Sequence, residues 1–235
     1  MKAKKLVWGA LVLLPLLATF KPAPSHAQSL TIDNFTGATP QQVAVTSGSP
    51  SWIETKVSIK TASPCDPKSP PPSQSPIGCS RYLRLYTVND PTAGFGAPAM
   101  LQASHRRLLF NSSIRNGHRI EVIYGIDERN QVVPLNLDLS GFKKFRIHFD
   151  SSDLGLNINL VVHASNNPVG GQGGLNIDGV PTGIPFVVDI PFTNFGVGAG
   201  EPPDFKHINQ IWLIIQSASA IGGNDYAITS IEAVP

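Results

Sequence analysis

Hydrophobic and polar residues alternate along two neighbouring stretches in the middle of the chain. In 144–149 Phe, Ile and Phe occupy every second position, between Lys, Arg and His. In 156–163 Leu, Ile, Leu and Val are separated by Asn, Asn, Val and His. A period of two is typical of half-buried β-strands. Because 150–155 is rich in turn-forming residues, the pattern predicts an antiparallel hairpin over 144–163 that pairs Phe149 with Leu156.

Similar short alternating runs recur through the chain, and no long window places apolar residues at helical spacing. Clusters of Gly, Pro, Asn and Ser separate the runs, and the chain contains 21 Gly and 21 Pro residues. These features predict an all-β protein, an antiparallel β-sandwich. The predicted strands are 30–35, 42–46, 52–60, 81–88, 106–111, 119–125, 144–149, 156–163, 186–190, 210–216 and 226–233.

Two segments between the strands have compositions typical of loops. Segment 63–76 is rich in proline, and the only two cysteines, Cys65 and Cys79, flank most of it. In an oxidising compartment we expect a disulfide between them, closing a loop over 63–80 and joining two antiparallel strands in which Ser58 faces Tyr86. Segment 166–183 contains the sequence GGQGG and is predicted to be a long mobile loop.

The N-terminus has the features of a signal peptide. Several lysines precede an apolar run at 6–20, and Ser25-His-Ala27 provides small residues for cleavage after Ala27. The run is shorter than the ~20 residues of a membrane span, so we expect no permanent span and a secreted or periplasmic protein. Loss of 1–27 would remove four of the 18 Lys and Arg residues and none of the 16 Asp and Glu residues, changing the formal charge from +2 to −2. The remaining 28–235 fits a single domain, and this charge makes nucleic acid an unsuitable partner.

Motifs for several kinds of catalysis are missing from the sequence. No strand carries alternate acidic residues that could flank a glycosidic bond, and no Gly-x-Ser-x-Gly elbow occurs. No His-x-x-x-His or Cys-x-x-Cys spacing indicates a transition-metal site. We therefore expect a protein that is not an enzyme, with a polysaccharide lyase as the remaining catalytic alternative.

The polar face of the predicted hairpin is a candidate binding surface. Its register places His148 opposite Asn157 and Arg146 opposite Asn159, an array of hydrogen-bonding groups suited to sugar hydroxyls. An aromatic ring, Trp52 or Tyr86, is expected to add a stacking surface.

Two points about this array stay open. An ordinary solvated outer sheet is the alternative explanation for its polar residues. Seven of the eight arginines lie in 81–129, which favours an anionic polysaccharide over a neutral one.

The order of several phrases resembles a known class of domains. They are IDNF (32–35), LDLSGF (137–142), FRIHFD (145–150), VDIPFTNF (188–195), INQIWL (208–213) and ITSIE (228–232). The chain is similar to secreted bacterial jelly-roll domains of the galactose-binding-like class, including carbohydrate-binding modules. Such domains often precede a PEP-CTERM sorting tail. Here no such tail follows Pro235, and we expect release into the periplasm or the medium.

The resemblance implies a non-catalytic domain that binds carbohydrate or another cell-envelope component, without a cofactor. It also implies a possible structural calcium ion at Asp33 and Glu232, because relatives bring their first and last strands together around such an ion. A structural protein of the extracellular matrix or cell surface is the alternative function.

Overall fold

The computed structural model describes residues 28–35, 41–45, 57–58, 76–89, 99–112, 116–127, 131–178, 184–196, 202–217 and 224–235. The predicted signal peptide, Trp52 and Cys65 lie outside these ranges, so the cleavage site and the disulfide stay predictions. The strands are β1 (Leu30–Asp33), β2 (Gln41–Val45), β3 (Val57–Ser58), β4 (Tyr82–Asn89), β5 (Ala99–Ser104), β6 (Arg107–Ser112), β7 (Asn116–Tyr124), β8 (Lys144–Ser152), β9 (Leu156–Ala164), β10 (Asn167–Ile177), β11 (Phe186–Pro191), β12 (Ile208–Ser217) and β13 (Asp225–Val234). Short 3₁₀ turns occupy Ile77–Cys79 and Phe192–Asn194.

The strands form two antiparallel sheets. The back sheet has seven strands in the order β11-β8-β13-β6-β5-β2, with β1 also paired to β13. The front sheet has six strands in the order β10-β9-β12-β7-β4-β3. This arrangement confirms the predicted β-sandwich. Within the ranges given above, the chain forms no helix with the length and hydrophobicity needed to cross a membrane.

The core lies between the two sheets and follows from the alternation in the sequence. Buried and half-buried residues alternate along β8 from Lys144 to Asp150 and along the whole of β9. The back sheet contributes Phe145, Ile147 and Phe149 to this core, and the front sheet contributes Ile158 and Leu160. Full burial of each such side chain stabilises the fold by roughly 1.5–3 kcal/mol.

The predicted hairpin over 144–163 is wrong, although both of its strands form. β8 pairs with β13 and β11, whereas β9 pairs with β12 and β10, so the turn between them crosses from one sheet to the other. At this crossing Asp153 accepts a 2.8 Å hydrogen bond from the backbone N–H of Asp225 at the start of β13. Alternation shows which face of a strand is buried, but strands that face each other across a core alternate in the same way as strands that pair.

The predicted mobile loop at 166–183 is also wrong for most of its length. Asn167–Ile177 forms β10, an edge strand of the front sheet paired with β9. Its glycines allow neighbouring groups to approach closely. A Cβ at Gly173 would lie 2.8 Å from the ring of Phe195, and a Cβ at Gly174 would lie 2.2 Å from Oδ1 of Asn159. These glycines therefore mark close packing on a strand and not a flexible loop.

The predicted pairing around the proline-rich loop is correct in direction and wrong in register. β3 and β4 are antiparallel, but Ser58 pairs with Tyr82 instead of Tyr86. The register is thus shifted by four residues along β4. β5 was not predicted from the sequence.

Candidate functional site

The structure separates the residues that sequence reasoning had placed in one array. Arg146 and His148 lie on β8 and point outward from the back sheet, whereas Asn157 and Asn159 lie on β9 and point outward from the front sheet. Tyr86, on β4, shares the front sheet with the two asparagines. Two outer faces must therefore be considered separately, and the role of Arg146 and His148 in binding stays a prediction.

The outer face of the back sheet pairs its charges with one another. Arg146 holds Asp189 through two hydrogen bonds of 2.8 and 3.0 Å, and Lys144 also contacts Asp189. His148 lies next to Glu232, with Nε2 and Oε2 3.8 Å apart. Lys144 and Arg146 on β8 thus form ion pairs with a carboxylate on the neighbouring strand β11.

Asp33 and Glu232 have different partners. Asp33 is fully buried and accepts hydrogen bonds from Arg81 and Tyr124, whereas Glu232 is partly exposed on the back face. In the part of the chain that the structure describes, no three His, Cys, Asp or Glu side chains are grouped closely enough to hold a metal. The calcium site stays a prediction.

On the front sheet, one row of outward side chains crosses five strands. Cross-strand pairing aligns Asn176, Asn157, Gln216, Arg119 and Tyr86. With neighbouring strands about 4.8 Å apart, this polar row is about 19 Å long. It consists of amides, one guanidinium and one phenol, groups that can hydrogen-bond to hydroxyls along an extended ligand.

Next to the polar row, a buried carboxylate holds two arginines. Glu121 is only 2% exposed, and its Oε2 accepts a 3.2 Å hydrogen bond from Arg84. Its Oε1 lies 2.5 Å from Nη2 of Arg119. The Arg119 guanidinium also lies over the ring of Tyr86, 5.8 Å from the centroid. One carboxylate thus fixes the positions of two cations on the face.

Trp212 is the central aromatic residue of the front face. Its ring lies 5.2 Å from the imidazole of His163 and 5.7 Å from the guanidinium of Arg84. Ile123 on β7 and Tyr82 on β4 are its successive cross-strand neighbours, and they belong to a small buried apolar cluster against which Trp212 packs. The indole N–H has no acceptor among the described residues. The front face therefore carries a half-buried aromatic ring whose N–H is turned away from solvent.

Three amides form a hydrogen-bonded chain beside this tryptophan. Gln172 on β10 donates to Oδ1 of Asn159 at 2.8 Å, and Asn159 donates to Oδ1 of Asn157 at 2.5 Å. Gly174 provides the space over which the Asn159 amide lies. Because each amide is held by its neighbour, this amide chain is ordered before any ligand arrives.

Sequence reasoning missed several of these residues. Arg119 and Glu121 lie at alternate positions of a strand that was predicted, so the period of two already placed them outward. Gln172 was not predicted as a site residue because the glycine-rich segment around it indicated a loop. Trp212 lies within the predicted strand 210–216 but was not included among the predicted site residues.

The solved structures with a similar fold include several carbohydrate-binding modules. A family 11 carbohydrate-binding module from a cellulosomal cellulase of Clostridium thermocellum matches with 11% identity and a TM-score of 0.41, over 90% of this chain and 97% of that chain. A family 11 module from the same organism, in complex with a β-1,3-1,4-mixed-linked tetrasaccharide, matches with 10% identity and a TM-score of 0.40, over 88% of this chain and 95% of that one. A family 29 module matches with 10% identity and a TM-score of 0.34, over 77% of this chain and 85% of that chain.

No protein-family model and no curated protein sequence matches the chain. The likeness to the solved structures is distant, so a function for this chain has to rest on its own side chains.

Proposed function

We propose that this protein is an exported, non-catalytic carbohydrate-binding domain and that its ligand lies on the front face. The observation that carries the proposal is Trp212 beside the amide chain formed by Gln172, Asn159 and Asn157. A pyranose ring presents apolar C–H groups on its face and hydroxyls at its edge. Trp212 supports stacking with the face, and the amides are within one or two strand spacings of its edge.

The order already present in the face favours binding. Holding a long side chain in one rotamer costs about 0.5–1.5 kcal/mol on association, and the amide chain has already met that cost through its own hydrogen bonds. Likewise, the Arg84 guanidinium packs on the rings of Tyr82 and Trp212 and is held by Glu121. A preorganised polar surface of this kind binds without a large loss of side-chain entropy.

The same face supports binding over catalysis. Glycosidases use two carboxyl groups about 5–9.5 Å apart, whereas Glu121 is the only acidic residue in the described strands of the front sheet. A lyase could use Tyr86 and Arg119, but His163 lies six residues along β9 from Asn157, about 20 Å away at 3.3 Å per residue. His163 is therefore far from Arg119 and Tyr86 in the polar row, whereas Arg84 lies near it, since both contact the ring of Trp212.

Affinity electrophoresis and calorimetry with a panel of neutral and acidic polysaccharides test the proposal. Trp212→Ala should weaken binding about 10-fold or more, since it removes an aromatic contact worth about 1.5–3 kcal/mol. Arg146→Gln and His148→Ala on the back face should bind like the unaltered protein. The proposal fails if no polysaccharide binds, or if the back-face variants lose binding and Trp212→Ala does not.

A further inference from the structure

The two sheets differ in charge. The strands of the front sheet contain Arg84, Arg119 and a single acidic residue, Glu121. The described strands of the back sheet contain five acidic residues against three basic ones, namely Asp33, Asp150, Asp189, Asp225 and Glu232 against Arg107, Lys144 and Arg146. The front face therefore carries a net positive charge, and the back sheet carries a net negative one even when Asp33, which is buried against Arg81, is left out.

The two charge distributions act almost independently. Packed sheets lie about 10 Å apart, and the outward side chains add to that separation, which exceeds the screening length of about 8 Å at physiological ionic strength. Acidic groups on the back sheet therefore do little to cancel the positive field in front of the other sheet. A ligand approaching the front face meets mainly the two arginines and Glu121.

Glu121 neutralises only one of the two guanidinium groups it holds. It is nearly fully buried, so it fixes both arginines from beneath, with Oε2 on Arg84 and Oε1 on Arg119. The side chain of Arg119 is 37% exposed, and that of Arg84 is 11% exposed. The surplus positive charge is thus most accessible at Arg119, in the middle of the front sheet.

The neighbours of Arg119 in the polar row suit an anion. Gln216 and Tyr86 lie beside it on the adjacent strands. Beyond Gln216 comes Asn157, whose oxygen already accepts from Asn159, while its amide nitrogen can only donate. Arg119 is thus followed along the row by further donors, and guanidinium groups bind carboxylates and sulfates with paired hydrogen bonds.

We infer that the front face recognises an anionic polysaccharide, with Arg119 binding a carboxylate or sulfate group of the sugar chain. This inference rests on the proposed function, since it names the chemical class of the ligand for the same face. Trp212 and the amide chain would contact the sugar ring, and Arg119 would select for its negative charge.

The test uses two pairs of polymers, and the two members of each pair share the same sugar backbone but differ in charge. Polygalacturonate is compared with its fully methyl-esterified form, which removes the carboxylate charge, and dextran sulfate is compared with dextran. The variant Arg119→Gln is matched with Arg146→Gln, because Arg146 is 34% exposed and also bound to a carboxylate, but lies on the back sheet. Trp212→Ala reports on the face itself, and circular dichroism checks that each variant is folded.

We expect binding to a charged polymer and not to its neutral counterpart. Arg119→Gln should weaken this binding by about 10-fold to 100-fold, the effect of losing a hydrogen bond between charged groups, and Arg146→Gln should change it less than 2-fold. A difference between polygalacturonate and its methyl ester would indicate a carboxylate ligand, and a difference between dextran sulfate and dextran would indicate a sulfate ligand.

Three outcomes would overturn the inference. Equal binding of charged and neutral polymers, with Trp212→Ala defective and Arg119→Gln normal, would refute the anionic ligand and leave the proposed function standing. If Arg119→Gln and Arg146→Gln weakened polymer binding equally, the polymer would be attracted by the overall charge of the protein and not by a specific site at Arg119. Binding to none of these four polymers would refute the anionic ligand, whereas the proposed function fails only if no polysaccharide of the wider panel binds.

Discussion

Neutralising the buried carboxylate of Asp33 should destabilise the fold severely. Asp33 and Arg81 are 0% and 2% exposed, and two hydrogen bonds of 2.5 Å join them. Tyr124 donates a third bond to Asp33 at 2.8 Å, and the backbone N–H of Phe35 donates a fourth at 2.8 Å. Asp33→Asn would leave the guanidinium of Arg81 charged, buried and without its counterion.

The magnitude follows from burial. Removing one partner of a buried ion pair costs about 3–5 kcal/mol, whereas an exposed pair contributes about 0–1 kcal/mol. For a domain of this size 1 kcal/mol shifts the melting temperature by about 2–4 °C, so Asp33→Asn should lower it by roughly 6–20 °C. The pair also joins the two layers, because Asp33 belongs to β1 of the back sheet and Arg81 directly precedes β4 of the front sheet.

Tyr124 should keep its role as a donor across the accessible pH range. Burial, and then the negative charge of Asp33, raise the pKa of Tyr124 well above its usual value. Tyr124→Phe therefore removes one neutral donor and no charge, and it should cost less than Asp33→Asn, about 1–3 kcal/mol. Ordering of the two variants by stability separates the contribution of charge from that of a hydrogen bond.

Calorimetry and urea denaturation of Asp33→Asn measure this cost, with Asp150→Asn as the matched control. Asp150 also bonds an arginine, Arg107 at 2.7 Å, but that arginine is 52% exposed. The control should shift the melting temperature by no more than a few degrees. Equal shifts in the two variants would show that burial of the Asp33 pair is not what makes it costly to break.

Three further predictions concern acid, glycine and calcium. Hydrogen bonds, chiefly from Arg146, lower the pKa of Asp189 from 3.8 to about 2, so its stabilising contribution is present above pH 3.8 and is lost as the pH falls towards 2. Arg146→Gln should flatten the dependence of the unfolding free energy on pH across that interval, and identical slopes in urea titrations would contradict this. Gly174→Ala should disrupt the amide chain, because its Cβ would lie 2.2 Å from Oδ1 of Asn159, and it should cost about 1–3 kcal/mol and weaken glycan binding. Gly141→Ala, whose Cβ would meet nothing within 4 Å, is its control, and equal effects would count against the close approach. Finally, we expect chelation of calcium to leave the melting temperature unchanged, since the buried carboxylate of the first strand already has a guanidinium partner, and a drop on chelation would establish the calcium site.

Sequence reasoning predicted the strands well because alternation reports burial directly. Ile147 and Ile158 are both fully buried, as their places in the pattern require. The pairing of these strands was not predictable, because a strand facing the core from either sheet shows the same alternation. The array of Arg146 with Asn159 failed for this reason, although each of the two side chains points outward as expected.

The glycine-rich edge strand was missed for a different physical reason. Glycine has low strand propensity, because it adds no side chain to pack and loses much entropy on ordering. In β10 this loss is offset by what the neighbours gain, since Phe195 packs against Gly173 on one face and Asn159 lies over Gly174 on the other. A composition typical of a loop can therefore belong to a strand whose neighbours supply the packing.

The contrast between the faces shows where a function can be sought in a sandwich of this kind. Both outer faces are polar, as any two-layer antiparallel fold requires. On the back face, Arg146 and Asp189 come from neighbouring strands and satisfy each other, and the charge that is left over is negative. On the front face, two arginines share the buried Glu121, so that Arg84 lies beside Trp212 and the more exposed Arg119 lies in the polar row with Asn157. Unbalanced positive charge beside ordered amides does not help the fold as much as a balanced pair would, and on the front sheet it favours a role in recognition.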